Sequence, residues 1–256
     1  MAKKIKNFLL PRLEIFKKKL LSNAYVHKIS NGVLDLFFPK FCLNCHKEGE
    51  FLCPDCKATL ETLNFHKKFQ SKNLSDLYFP LEYKGALIKN LIQRFKYEPF
   101  IKELAKDLAA LITDHFQLFD NPPPFLVKNW EFILIPVPLE KRKLKWRGFN
   151  QAEEIGKEIS KFLNIEMAND VLIKTKETLP QVELSEKERR ENVKNTFLCQ
   201  NPEKIQKRKI LLIDDVYTTG STMEECAKVL KKARTKEVIG IVIARAAPGQ
   251  DQPQNV

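Results

Sequence analysis

At 256 residues and 43% hydrophobic content the chain can hold one full α/β domain with a small appendage, which excludes disorder throughout. Its formal charge of +12 and pI near 9.3 favour anionic partners, whether phosphorylated metabolites, nucleic acid or acidic lipid. The apolar runs are too short to span a bilayer, and the basic start meets Pro11 and further lysines instead of a signal-peptide core, so a cytoplasmic protein with no transmembrane segment is expected.

Residues 1–33 read as a basic extension in which Pro11 opens a helix, Leu13, Phe16 and Leu20 share one face, and Lys17, Lys18 and Lys19 crowd the others. Such a helix suits an anionic membrane or nucleic acid, or lies solvated against its own protein. Residues 34–72 form a cysteine module: Cys42-Leu43-Asn44-Cys45 and Cys53-Pro54-Asp55-Cys56 are two Cys-x2-Cys knuckles with seven residues between them. Two thiolates from each pair complete a tetrahedral zinc shell, a closed and therefore structural site, without help from His46 or His66. Phe41 and Phe51 are expected in the small core of this module, with base stacking as the alternative. A polar helix and linker should occupy 57–72, and the isolated Cys199 and Cys226 read as packing residues.

The main domain is expected over 73–247, with a frayed tail at 248–256. Leu77 to Tyr83 is a strand that Pro80 places at an edge. Gly85 opens a helix through Leu87, Leu91, Ile92 and Phe95 that ends near Lys96-Tyr97-Glu98-Pro99, and a second helix runs from Phe100 to about Phe119. Asn121-Pro122-Pro123-Pro124 breaks the chain before a strand at Phe132 to Ile135. Pro136-Val137-Pro138-Leu139 follows as a strand-end turn in which an X-Pro bond could be cis. Lys141, Arg142, Lys143, Lys145 and Arg147 then form a basic loop, and Gly148-Phe149-Asn150-Gln151 opens a helix to about Leu163. A short strand falls at Val171 to Lys174, followed by a polar segment with Thr178, Gln181, Leu184, Arg190 and Asn192. Val238 to Ala244 is a further apolar strand.

The most informative stretch is Lys209 to Thr222. Ile210 to Ile213 is an unbroken apolar run, suited to a parallel strand buried on both faces, with Asp214 and Asp215 at its carboxyl end. Thr218, Thr219, Ser221 and Thr222 supply hydroxyls, Gly220 lets backbone approach a phosphate, and Ser221 with Glu224 has capping-box spacing. The helix that follows has Met223, Cys226, Ala227, Leu230 and Ala233 on one face. Two acids above an anion-binding turn suit a ligand with a monophosphate at one end and vicinal hydroxyls nearby, as in ribose 5-phosphate. No Gly-Lys-Ser/Thr follows Gly220, so a Walker A loop is excluded here.

This pattern resembles the signature of type I phosphoribosyltransferases. Together with the double knuckle, the Tyr97-ending helix, Pro136-Val137-Pro138, Arg147 to Gln151 and the Thr178/Gln181/Arg190/Asn192 spacing, it makes the chain similar to the ComF family over roughly residues 34–245. The resemblance implies an α/β type I phosphoribosyltransferase fold, a mainly parallel sheet flanked by helices, with a four-cysteine zinc module at its N-terminal side. It also implies a link to DNA uptake in competence. Phosphoribosyl diphosphate and Mg²⁺ are the implied ligands: Asp214 and Asp215 at the ribose hydroxyls, Thr218 to Thr222 at the 5-phosphate, Val137 and Pro138 shaping the diphosphate loop, and Arg147 meeting the leaving diphosphate. The alternative is a non-catalytic protein that senses phosphoribosyl diphosphate or a nucleotide, or binds single-stranded DNA or a DNA-uptake protein.

Overall fold

The cysteine module has few apolar side chains to bury, and its backbone closes on itself through short loops. In the computed structural model, which describes residues 39–69, 71–175 and 186–247, Phe41 and Glu48 form an antiparallel bridge. Cys42 N–H donates to Lys47 and Leu43 N–H to Phe51, both at 2.9 Å. Helix α1, Pro54–Ala58, starts with proline where no intrahelical donor is needed. Cys42, Leu52, Cys53 and Cys56 are buried, whereas Phe41 is 45% exposed, so it does not belong to the core expected for it. The chain divides into two compact units, Met1–Cys56 and Lys57–Val256. The basic extension, the polar segment with Thr178, Gln181 and Leu184, the side chain of Arg190 and the tail lie outside the described residues.

In the second unit the helix expected over 57–72 stops at Ala58. No apolar stripe of helical period continues it, and its backbone bonds elsewhere: Leu63 N–H donates to Pro80 O at 2.8 Å and Phe69 N–H to Asp76 Oδ1 at 3.0 Å. The remaining elements are β1 Asp76–Tyr78, β2 Leu81–Glu82, α2 Ala86–Lys96, α3 Leu104–Gln117, α4 Pro124–Val127, β3 Phe132–Pro136, α5 Lys141–Arg147, α6 Gln151–Leu163, β4 Leu172–Lys174, α7 Glu186–Val193, β5 Phe197–Cys199, β6 Lys209–Ile213, β7 Val216–Tyr217, α8 Ser221–Lys232, β8 Glu237–Ile241 and β9 Ala244–Arg245.

A parallel sheet runs in the order β1-β8-β6-β3, with Leu134 opposite Leu211 and Leu211 opposite Ile239. Its inner strands are apolar on both faces because helices cover both. Helix α6 approaches β3 closely at Gly156, where an added methyl would sit 3.1 Å from both Leu134 and Met167 side chains. A second parallel sheet, β2-β9-β7, repeats the same strand order. The strands expected at Leu77–Tyr83 and Val238–Ala244 are thus each two strands with a short interruption, and β6 and β7 are interrupted at the same level. Pro80 falls in the break of the edge strand. In the breaks, Val242 N–H donates to Tyr78 at 3.0 Å, Asp214 N–H to Ile241 at 3.1 Å and Ile243 N–H to Asp215 at 2.9 Å, so backbone pairing continues across them.

Other boundaries differ for local reasons. The second helix begins at Leu104 instead of Phe100, because Phe100 has φ 53 and cannot continue a right-handed helix. The cis X-Pro bond among the described residues is Glu98–Pro99, not one in the Pro136 to Leu139 turn. Lys141 to Arg147 is helix α5 and not a loop, closed by Gly148 in the left-handed region at φ 81. β4 and β5 form a separate antiparallel ribbon.

Candidate functional site

The two acids lie in the break between β6 and β7, an interior position of the sheet. Asp215 is buried and its N–H donates to Asp214 Oδ1 at 2.9 Å, which ties the two carboxyl-bearing residues together. Val137 N–H donates to Ile213 O at 2.8 Å, bringing the turn that carries Val137 and Pro138 beside the acids. Asn150 holds that turn from the other side: its Nδ2 donates to Val137 O at 3.0 Å while its Oδ1 caps α6 by accepting from Ala152 N–H at 3.2 Å.

Beyond β7 the chain turns through Thr218, Thr219 and Gly220 into α8. Gly220 has φ 75, and a methyl there would lie 2.1 Å from the Tyr217 hydroxyl, so this position admits only glycine. The Thr219 hydroxyl lies 2.8 Å from Ser221 Oγ and accepts from Ser221 N–H at 3.4 Å. The expected Ser221/Glu224 capping box does not form, since Gly220 is the N-cap. Glu224 instead accepts from Asn73 N–H at 3.1 Å, from Asn73 Nδ2 at 3.0 Å and from the Ser71 hydroxyl. Three half-buried donors outcompete a local cap.

Cations meet the acids from neighbouring elements. Lys96, the last residue of α2, places Nζ 2.8 Å from Asp215 Oδ1. Burial opposes its charge, but Asp215 and the field of Asp214 outweigh this and hold its pKa above the usual value. Burial, followed by the charge of Asp215, pushes the Asp214 carboxyl up to about 7 against the pull of Lys96 and Lys174. Lys174 on β4 has its pKa drawn down by burial and then by Lys143, with Glu140 and Asp214 opposing. Arg147, at the end of α5, bonds Gln151 Oε1, its Nε has no hydrogen-bond partner, and it lies in the field of Asp215. Gln151 Nε2 in turn donates to Phe95 O at 3.2 Å, so one amide links α2, α5 and α6. The contacts therefore gather Asp214, Asp215 and Val137 at the carboxyl end of the sheet, with Arg147 in the field of Asp215 and the Thr218–Thr222 turn following β7. Cys226 is fully buried, and burial and then Asp214 keep its thiol protonated.

Sequence reasoning gave no site role to Lys96 or Lys174, and named Gln151 only within the Arg147 to Gln151 motif. A lysine at a helix end reads as solvated, and only the placement of the end of α2 beside Asp215 makes Lys96 its partner.

In the first unit the Sγ atoms of Cys42, Cys45, Cys53 and Cys56 all lie within 4.8 Å of one another, the one cluster of three or more such ligand atoms close enough to share an ion among the described residues. A tetrahedral shell with metal–sulfur bonds near 2.3 Å needs S···S separations of about 3.8 Å, so the donor set fits a metal ion. Asn44 Nδ2 donates to Cys56 Sγ at 3.3 Å and Cys56 N–H to Cys53 Sγ at 3.5 Å, contacts that support thiolate charge. His66 instead pairs with Asp76 Oδ2 at 3.0 Å and stacks on Tyr78.

A parallel sheet whose acid-bearing strand end faces a glycine-hydroxyl turn defines a phosphoribosyltransferase-like protein, and the phosphoribosyl transferase domain family matches residues 151–256. Competence protein F of Haemophilus influenzae is 37% identical over 157 residues, covering 61% of this chain and 67% of its own length. Competence protein ComFC of Streptococcus pneumoniae is 29% identical over 206 residues, 77% of this chain and 84% of that protein. DNA utilization protein YhgH of Escherichia coli K12 is 36% identical over 97 residues, 38% of this chain and 42% of that protein, so the match to it spans under half its length. The chain belongs to the ComF family of phosphoribosyltransferase-like proteins.

Proposed function

We propose that this protein binds phosphoribosyl diphosphate with Mg²⁺ and transfers the phosphoribosyl group. The observation that carries the reading is the pair Asp214 and Asp215, fixed in a sheet break ahead of the Gly220 turn. In this reading the carboxylates hold the ribose hydroxyls, and Thr218, Thr219, Gly220, Ser221 and Thr222 take the 5-phosphate through hydroxyls and helix N–H groups. Val137 and Pro138 shape the diphosphate loop, and the Arg147 guanidinium meets the charge that grows as the C1–O bond to diphosphate breaks and a bond from C1 to the acceptor forms. Asp214 and Asp215 are hard oxygen donors of the type Mg²⁺ prefers and would hold the ion, which would supply positive charge against the leaving diphosphate. Zinc in the four-thiolate shell serves the fold of the first unit, which fits a reducing, cytoplasmic setting. From the names of its relatives we carry over a role in competence and DNA uptake.

The test is calorimetry of phosphoribosyl diphosphate with and without Mg²⁺, on the parent and on a folded Asp214→Asn/Asp215→Asn variant. Binding by the parent alone is expected, and its absence in zinc-loaded parent overturns the reading. A second reading, a non-catalytic protein that contacts single-stranded DNA, is favoured by α5, where Lys141, Arg142 and Lys145 are exposed beside Trp146, itself 55% exposed. It predicts binding that weakens steeply with salt.

A further inference from the structure

We infer that Lys96 is a built-in cation that occupies Asp215 in the free protein and must be exchanged when metal and anionic ligand bind, so that the two bind cooperatively. The inference rests on the phosphoribosyl diphosphate reading for the identity of the anion.

Its first support is contact: Lys96 Nζ lies 2.8 Å from Asp215 Oδ1, with the lysine side chain 27% exposed and that of the aspartate 11%. The second is that this lysine is held in place by its element. Phe95 is fully buried against the Phe149 ring and its carbonyl accepts from Gln151 Nε2. Tyr97 N–H donates to Gln93 O at 2.8 Å, and Ile101 N–H to Arg94 O at 2.9 Å, closing the turn that follows. The main chain is therefore fixed on both sides of Lys96, which keeps the root of its side chain beside Asp215 and leaves the ammonium able to swing between partners.

The third support is the donor count. One Asp214 oxygen already accepts the Asp215 N–H, and one Asp215 oxygen already takes the ammonium. A divalent ion seated on Asp215 would stand against the Lys96 charge in a partly desolvated site, where like charges repel strongly. The ammonium must then move, and a di- or triphosphate-like anion reaching over the acids offers it a new partner. Metal alone meets repulsion, and metal with anion relieves it. This is a coupling between two ligands, which by linkage acts equally in both directions.

The experiment compares the parent with Lys96→Met, which keeps length and removes charge, and Lys96→Arg, which keeps charge and grips a carboxylate with a fork. Mn²⁺ binding without any other ligand is read by electron paramagnetic resonance, and phosphoribosyl diphosphate binding at saturating Mg²⁺ by calorimetry. Lys96→Met is expected to bind bare Mn²⁺ about tenfold more tightly than the parent and phosphoribosyl diphosphate about tenfold more weakly. Lys96→Arg is expected to weaken bare Mn²⁺ binding. A structural counter-ion predicts the opposite for Lys96→Met, weaker metal binding through a disturbed Asp215, and that result or an unchanged affinity overturns the inference. Should Lys96→Met fail to fold, Lys96→Arg decides, and Mn²⁺ affinity equal to or above the parent's overturns it. If the parent ignores phosphoribosyl diphosphate while the two variants shift Mn²⁺ affinity in opposite directions, the functional reading fails and the exchange at Asp215 stands. If the parent binds phosphoribosyl diphosphate without those shifts, the exchange alone is discarded.

Discussion

At Gly220 backbone and side-chain constraints coincide, since the left-handed φ and the Tyr217 ring each exclude a side chain. Gly220→Ala is therefore expected to cost about 1–3 kcal/mol and to weaken phosphoribosyl diphosphate binding at least as much as it lowers the melting temperature. Asp214 gives a prediction of opposite sense. Its folded pKa, raised to about 7 by burial and by Asp215, means the folded state keeps a proton that the unfolded chain releases near 3.8. Ionisation then costs stability as pH rises through that window, so Asp214→Asn should be more stable than the parent at pH 8 by about 1–3 kcal/mol and converge with it toward pH 4. Denaturant melts of both proteins at several pH values check this; a less stable variant at pH 8 contradicts it. These two residues were legible in the sequence because a short apolar run followed by acids, hydroxyls and glycine has few structural meanings. Lys96 was not, because its role depends on where α2 returns in space and no spacing along the chain encodes that.

Elements were readable where one face of a helix or both faces of a strand had to be apolar, as in β6 and α6. They were misread where polar residues decide the outcome. The basic run from Lys141 to Arg147 has no apolar stripe to announce a helix, and Glu224 has cap spacing but is claimed by Ser71 and Asn73. Asn150 joins two elements with one side chain, so Asn150→Ala removes both the α6 cap and the bond to Val137 O. A loss of about 1–3 kcal/mol is expected, measured by urea unfolding. Helix α3 carries His115, buried, with Nδ1 2.7 Å from Leu63 O. Burial draws its pKa down to about 4 despite that hydrogen bond. The unfolded chain binds its proton first, near 6.5, so this group lowers stability as pH falls from 6.5 toward 4. A His115→Gln variant should lose less stability than the parent over that window when both are followed by thermal melts.

The whole molecule joins a unit built around four thiols to a unit built around a sheet, and the two should respond to different treatments. A strong chelator or Cys45→Ser is expected to expose the 39–56 segment to proteolysis, while the calorimetric transition of the sheet unit persists. Loss of both together overturns this separation. The class of fold was legible because strands and helices alternate along the chain, but the split of three strands at one level was not, since the residues in the breaks are as apolar as their neighbours except on β6. That shared break limits what insertions and deletions the gene can tolerate. Successive residues of an extended chain face opposite ways. One codon gained or lost between Ile213 and Val216 would turn Asp215 from Lys96 toward the opposite face and disrupt the ladder to Ile241 and Ile243. Length changes are therefore expected to accumulate in the connections around Asn121 and Asn201, and the spacing from Ile213 to Gly220 is expected to stay fixed in any descendant that keeps the site.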